Sequence, residues 1–195
     1  MNIFIAQFFY LLLIVNSMKT NGLEKEFVAD AEEMLPITDE KGVVIGKALR
    51  SVCHKDNTLI HPVVHVHILN KEGKIFLQKR SMKKLIQPGK WDTSVGGHIT
   101  FGEEIETALK REAWEEAGVE NGDFQFITSY LWECPLEREF IRVYKCRYEN
   151  PKIIAVGEID EGRFFSFEEI SQNLGKGFFT PNFETEFEKI KNVLL

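Results

Sequence analysis

Residues 97–119 read Gly97-His98-Ile99-Thr100-Phe101-Gly102-Glu103-Glu104-Ile105-Glu106-Thr107-Ala108-Leu109-Lys110-Arg111-Glu112-Ala113-Trp114-Glu115-Glu116-Ala117-Gly118-Val119. From Glu104 to Ala117 this stretch holds good helix formers and no proline, and Gly118 stands where a residue just past a helix end belongs. A helix here puts Ile105, Ala108 and Leu109 on one face. Continuing that face brings in Glu112, Glu115 and Glu116. Three carboxylates thus lie where an amphipathic helix would place apolar groups. A plain solvated acidic face is the competing explanation. Because these acids extend a core-facing stripe, they repel one another unless a cation neutralises them. All-oxygen ligands point to Mg²⁺ or Mn²⁺ rather than Zn²⁺.

The flanking residues suit the same chemistry. Glu103 starts the helix, placed to add a carboxylate or to complement the helix dipole. Arg111 adjoins the acids and can hold one carboxylate through a two-pronged pair. Gly96-Gly97 at a strand end allows close backbone approach, so that a carbonyl can also face a metal. Trp114 points away from the acids and reads as a packing or dimer contact.

The spacing Gly97, five residues, Glu103, seven residues, Arg111-Glu112, then Glu115-Glu116 and Gly118-Val119 resembles the signature of the Nudix superfamily at every fixed position. Residues of such frequency coincide at this spacing about once in 10⁸–10⁹ windows, so composition alone does not explain the match. Ala113 is smaller than the aliphatic residue usual at its position, which weakens a packing contact and removes no chemistry. The resemblance implies an α/β/α sandwich, in the α/β class, with a central mixed β-sheet. It also implies metal binding by Glu112, Glu115, Glu116 and the Gly97 carbonyl, with Glu103 assisting and Arg111 orienting a glutamate.

Outside this stretch, Leu77-Gln78-Lys79-Arg80-Ser81, Lys84, Pro88-Gly89-Lys90-Trp91-Asp92 and Gly97-His98 resemble the Nudix branch related to isopentenyl diphosphate isomerase. That enzyme binds a metal through three histidines and two glutamates. The resemblance puts the matching positions at His54, His61, His98, Glu137 and Glu139, a second candidate metal locus. The isomerase cysteine would fall at Gly96, which leaves the proton-shuttling mechanism without its thiol. Each histidine also has a structural reading: His54 and His61 as loop groups, His65 and His67 as residues lining the second face of a sheet. Glu137 and Glu139 alternate with Arg138, so both face one side, or simply form a charged strand edge.

Alternation and turn residues lay out the remaining chain. Residues 32–50 read as a hairpin around Asp39-Glu40-Lys41-Gly42. Residues 62–69 alternate with Val64, Val66 and Ile68 on one face and turn at 70–73 into a strand over 75–78, a second hairpin. Strands are predicted over 93–99, 124–133, 140–147 and 163–167, and helices over 167–174 and 182–194. These elements make one domain over 32–195 behind an N-terminal extension, residues 1–31.

At 195 residues, 44% hydrophobic and 28% charged, the chain has ordinary globular composition. Its net charge of −6 argues against a nucleic-acid polymer or a stable membrane surface as partner. It leaves room for a small-molecule diphosphate, because Lys79, Arg80, Lys83, Lys84 and Lys90 supply local positive charge. Lys79, Arg80 and Lys90 are the candidate phosphate contacts; Lys83 and Lys84 read as a solubilising surface. Cys53, Cys134 and Cys146 have no metal-site spacing and suggest reduced thiols of a cytoplasmic protein, with Cys134 and Cys146 as buried small hydrophobes. Residues 1–17 are mostly apolar. They are short for a membrane helix and carry no Lys or Arg ahead of the apolar run as a signal peptide would. A start placed upstream of Met18-Lys19-Thr20 is the reading preferred here.

The expectation is therefore a Mg²⁺- or Mn²⁺-dependent hydrolase of a diphosphate linkage, with Glu112, Glu115, Glu116 and Arg111 at its centre. Glu158 is a candidate general base, although it also fits a plain acidic turn with Asp160 and Glu161. The alternatives are an isomerase-like enzyme without the usual thiol and a non-catalytic sensor. The intact glutamates weigh against the sensor. Many relatives are dimers, and a homodimer through Trp114 is an expectation by analogy.

Overall fold

The run Ile60–Leu69 becomes the strand against which the others are set, because both of its faces are covered. The computed structural model describes residues 33–84, 86–155 and 157–194, and the expectations for the extension over 1–31 lie outside them. Strand β1 (Met34–Thr38) and strand β2 (Val44–Leu49) form the expected first hairpin. A short helix α1 (Arg50–Cys53) follows and leads into β3 (Ile60–Leu69). Then come β4 (Ile75–Arg80), β5 (Trp91–Asp92), β6 (Val95–His98) and the carboxylate-bearing helix α2 (Ile105–Ala117). The C-terminal part supplies β7 (Gln125–Glu133), β8 (Arg138–Arg147), β9 (Ile159–Phe165), α3 (Phe167–Asn173) and α4 (Pro181–Leu194).

All nine strands join one mixed sheet, in which β3 runs parallel to β8 and antiparallel to β1, β4 and β6. On one face Val64, Val66, Ile68 and Val95 pack against Ala108, Leu109, Ala113 and Ala117 of α2. On the other, Val63, Ile141, Val143 and Trp91 pack against Ile170 of α3 and Phe183, Phe187 and Ile190 of α4. Each large aliphatic or aromatic side chain buried this way contributes about 1.5–3 kcal/mol. The result is the expected α/β/α layering. Ala113 is fully buried, so its small side chain lets α2 lie close to the sheet.

Several sequence expectations need correction. The second hairpin opens after one pair, Leu69 with Ile75, and β4 then pairs with β9 and β5 instead. The edge of β3 that β4 would have used is taken by β6, from Val63–His98 to Val66–Val95. The strand expected over 93–99 is β6, and a two-residue strand, β5, precedes it. Between them, the Ser94 hydroxyl accepts from the Ile68 amide at 2.9 Å and donates to the Phe76 carbonyl, satisfying backbone groups where β3 and β4 separate. His61 is not in a loop but inside β3. Cys134 is half-buried beyond the end of β7 rather than a core residue in a strand.

Candidate active site

Helix α2 ends as its sequence predicts. Gly118 adopts φ 62°, ψ 28°, the left-handed conformation that closes a helix at low cost for glycine. That helix brings Glu112 and Glu116 under the end of β6. A Cβ on Gly97 would fall inside the Glu112 carboxylate, so only glycine allows this approach. Glu116 accepts from the Gly96 amide at 3.1 Å and from Gln78 Nε2 at 2.8 Å. Burial pushes the Glu112 carboxyl up to about 7 and the Glu116 carboxyl up to about 8; Glu115 and Glu33 raise Glu112 further, and Glu112 raises Glu116. Two acids held so poorly as anions form a site that a cation stabilises. Glu115 lies at the margin, about half exposed, and shares Arg111 with Glu112.

Arg111 is the organiser. Its Nε and Nη2 donate to the two oxygens of Glu103 at 2.9 and 2.8 Å, its Nη1 donates to Glu112 at 2.7 Å, and Nη2 also reaches the His98 carbonyl at 3.1 Å. Hydrogen bonding to Glu103 first, then the charge of Glu112, raises its pKa further. Both Glu103 oxygens are thus engaged by Arg111, which gives Glu103 an orienting place here rather than a free one.

The basic patch divides. Lys79 lies 3.9 Å from Glu161. Arg80 is tied to Asp92 at 3.2 Å and to the Ile86 carbonyl, so it braces the loop after β4. Lys90 is half-buried beside Trp91. Lys84, expected only to solubilise, is paired with Glu158. Glu158 in turn raises the pKa of Glu116, which brings this candidate base near the acidic pair.

On the opposite face of the sheet, the strand register assembles the second locus. His61 on β3 stands beside Glu139 on β8, and His98 on β6 stands beside Val63, the next position of that face. His54, at the end of α1, completes the group. His54 and His98 touch through Nε2 atoms 3.0 Å apart, while His54 Nδ1 lies 2.6 Å from Glu137. The ligand atoms of His54, His61 and His98 lie within 4.8 Å of one another, as do those of His61, Glu137 and Glu139. His61 is fully buried; among the described residues neither ring nitrogen is hydrogen-bonded, and Nε2 lies 3.9 Å from Glu139. Burial first, then neighbouring charges, lowers His61 to about 4 and His98 well below its usual value, which favours the neutral imidazoles that a metal takes. Burial, then Glu137, raises Glu139 to about 7. The charged-edge reading of Glu137 and Glu139 does not hold, because both face this cluster.

Comparison with known proteins agrees with this geometry. The NUDIX domain family model matches residues 59–183. The chain belongs to the Nudix family. An uncharacterized Nudix hydrolase of Streptomyces coelicolor is 29% identical over 84% of this chain and 91% of its own length. An isopentenyl-diphosphate Delta-isomerase of Paenarthrobacter aurescens is 34% identical over 52% of this chain and 55% of its own. Among solved structures, DR0079 from Deinococcus radiodurans superposes with a TM-score of 0.69 at 26% identity, covering 80% of this chain and 98% of that one. This Nudix chain is accordingly a Nudix-type phosphohydrolase with likeness to the isomerase branch. Among the described residues no helix is long and apolar enough to cross a membrane.

Some residues that the site uses carried no signal in the sequence. Gln78 appeared only within a family pattern, yet it holds Glu116. Glu186, Tyr130 and Asn182 lie on distant elements and meet beneath the sheet. His65 and His67 do line the second sheet face, but as partners of Glu186.

Proposed function

We propose that this Nudix protein is a divalent-metal-dependent hydrolase of a diphosphate linkage in a small molecule. The observation that carries the reading is the half-buried Glu112–Glu116 pair beneath Gly97, an all-oxygen donor set raised to about 7 and about 8 in want of a cation. Glu112, Glu115, Glu116 and the Gly97 carbonyl would hold Mg²⁺ or Mn²⁺. When bound, the ion supplies charge neutralisation at the phosphate oxygens and acidifies water for attack on phosphorus. Arg111 keeps Glu112 aimed at the strand end, and Gln78 with the Gly96 amide fixes Glu116. Glu158 accepts the proton of the attacking water, with Lys84 holding its carboxylate in place. Lys79, Arg80 and Lys90 carry charge toward the phosphates. The family likeness extends the substrates to nucleoside-diphosphate-linked compounds and isoprenoid diphosphates. The protein's place is the cytoplasm, consistent with its three free cysteines.

A second reading has its own observation, the convergence of His54, His61, His98, Glu137 and Glu139. Neutral imidazoles with carboxylates suit a transition metal such as Mn²⁺. An isomerase-like reaction there would need an acid/base group that Gly96 does not supply. The test compares Glu116→Gln with His61→Asn on a pool of nucleoside and isoprenoid diphosphates with added Mg²⁺ or Mn²⁺. The hydrolase reading expects Glu116→Gln to lower phosphate release roughly 10²–10⁴-fold. Deuterium entering isopentenyl diphosphate from heavy water, sensitive to His61→Asn and without phosphate release, would establish the isomerase reading instead.

A further inference from the structure

The carboxylate of Glu186 is buried in the middle of α4 and gathers three donors from the sheet: His65 Nδ1 at 2.9 Å, His67 Nε2 at 2.6 Å and the Tyr130 hydroxyl at 2.8 Å. Tyr130 lies 3.0 Å from Asn182 Oδ1, and Asn182 Nδ2 lies 3.5 Å from Glu139, one of the candidate ligands of the histidine locus. An ionised carboxylate only accepts, so the carboxylate fixes which nitrogens carry protons: Nδ1 of His65 and Nε2 of His67. Among the described residues the other nitrogen of His67 is buried without a hydrogen-bond partner, whereas the His65 side chain keeps an open edge.

Burial alone would lower His65, but the Glu186 carboxylate outweighs it and raises the ring to about 9, with smaller help from Glu139 and Asp92. His65 Nε2 has no partner among the described residues, and the side chain keeps 9% of its surface open. It faces Gly96, its pairing partner on β6, which is exposed. A Cβ at Gly96 would sit 3.5 Å from His65 Nε2 and 3.6 Å from Thr93 Cγ2, ordinary contact distances, so an atom placed over this exposed glycine meets His65 Nε2 without a clash. The amide of the same Gly96 binds Glu116. Gly96 therefore lies at the junction of the acidic pair and the histidine side of the sheet.

We propose that His65, locked in orientation by Glu186, presents Nε2–H to an anionic oxygen of the substrate bound over Gly96. This rests on reading the Glu112–Glu116 site as a diphosphate site. The position of the absent thiol is then occupied by substrate, and an imidazolium on a rigid strand takes a place at its edge. Glu186, His67 and Tyr130 act through His65 as positioning residues. They hold a buried cation at the cleft wall without a lysine's flexible stem.

The test follows the histidine ring nitrogens by ¹⁵N NMR of the full chain, titrated with methylenediphosphonate in the presence of Mg²⁺, a probe whose P–C–P link resists hydrolysis. The expected result is a shift of the His65 Nε2 resonance along the same saturation curve as the Gly96 and Gly97 amides. His65→Gln should weaken probe binding roughly 10–100-fold. Glu186→Gln should weaken it as well, with the His65 resonance displaced before any probe is added. Saturation of the Gly96 and Gly97 amides with His65 Nε2 unmoved would overturn the proposal and leave the diphosphate reading standing. No response anywhere would remove that reading and the proposal together. Should His65→Gln fail to fold, the titration of the wild-type ring decides alone.

Discussion

A methyl group at position 97 would take the space of the Glu112 carboxylate, so the acidic pair is built on the absence of a side chain. Gly97→Ala should leave a folded protein, because Glu112 can swing aside, at a cost of about 1–3 kcal/mol. Its metal-dependent turnover should fall roughly 10²-fold, since the carboxylate then points away from the strand end. Thermal unfolding and turnover measured on one preparation separate the two effects. Arg111 works by geometry as much as charge, with its fork filled by Glu103 while Nη1 holds Glu112. Arg111→Lys keeps the charge and loses the fork. Activity should drop about 10–100-fold with little change in fold, whereas an unchanged rate would mean that the orienting role is wrong.

Among the elements, helix α3 shows how much a local signal can specify. Ser166 accepts from the Glu169 amide at 3.1 Å while Glu169 accepts from the Ser166 amide at 2.8 Å, a reciprocal cap readable from the spacing alone. Ser166→Ala should lower stability by about 1 kcal/mol in chemical denaturation and leave activity intact. Helix α2 was legible for the same reason: its formers, its acidic stripe and Gly118 all lie within one stretch. The hairpin of β1 and β2 was likewise local. Partner choice was not. Residues 70–73 form the turn that their sequence promised, yet β4 leaves β3 after one pair because β6 competes for that edge, and no nearby residue records the competition. The acidic pair could be read from residues 97–119, and the five ligand types of the histidine locus were visible through resemblance. Glu186 could not be found, because it stands 121 positions from His65 on a helix whose other inward positions are phenylalanine, isoleucine and leucine.

For the molecule as a whole, buried charge makes stability depend on pH in a direction that can be worked out. Glu186 has its pKa depressed, because His65 outweighs the effect of burial; its contribution is present above the ordinary carboxylate range and is lost in acid. His65 is raised to about 9, so its contribution is complete below about 6.5 and disappears as pH rises through 9. Glu112 and Glu116 are raised to about 7 and about 8, so ionising them costs stability between the ordinary carboxylate range and pH 8. Glu139, raised to about 7, adds to that loss, whereas burial lowers His61 to about 4 and His98 well below its usual value, so their contribution is lost as pH falls below about 6.5. The metal-free protein should therefore be most stable near pH 5–6 and weaken toward pH 9. Urea midpoints at pH 5, 7 and 9 test this, and Mg²⁺ or Mn²⁺ should recover part of the loss at pH 7 and above. Glu116→Gln, which removes one of the costly anions, should be at least as stable as wild type at pH 8 without metal. Glu186→Gln should cost about 3–5 kcal/mol at neutral pH, because it leaves a buried cation unpaired, and should flatten the fall between pH 6.5 and 9.

The most direct test of the proposed chemistry is ³¹P NMR of the full chain with Mg²⁺ or Mn²⁺ in ¹⁸O-labelled water. The substrates would be a nucleoside triphosphate, ADP-ribose, a dinucleotide and isopentenyl diphosphate. Hydrolysis at the acidic pair should cleave the anhydride of one of them, giving a phosphate or phosphate-monoester product that carries the isotope shift of a new P–¹⁸O bond, and Glu116→Gln should abolish that signal. Intact diphosphates throughout, or label entering at an undiminished rate in Glu116→Gln, would contradict the assignment of hydrolysis to the Glu112–Glu116 site.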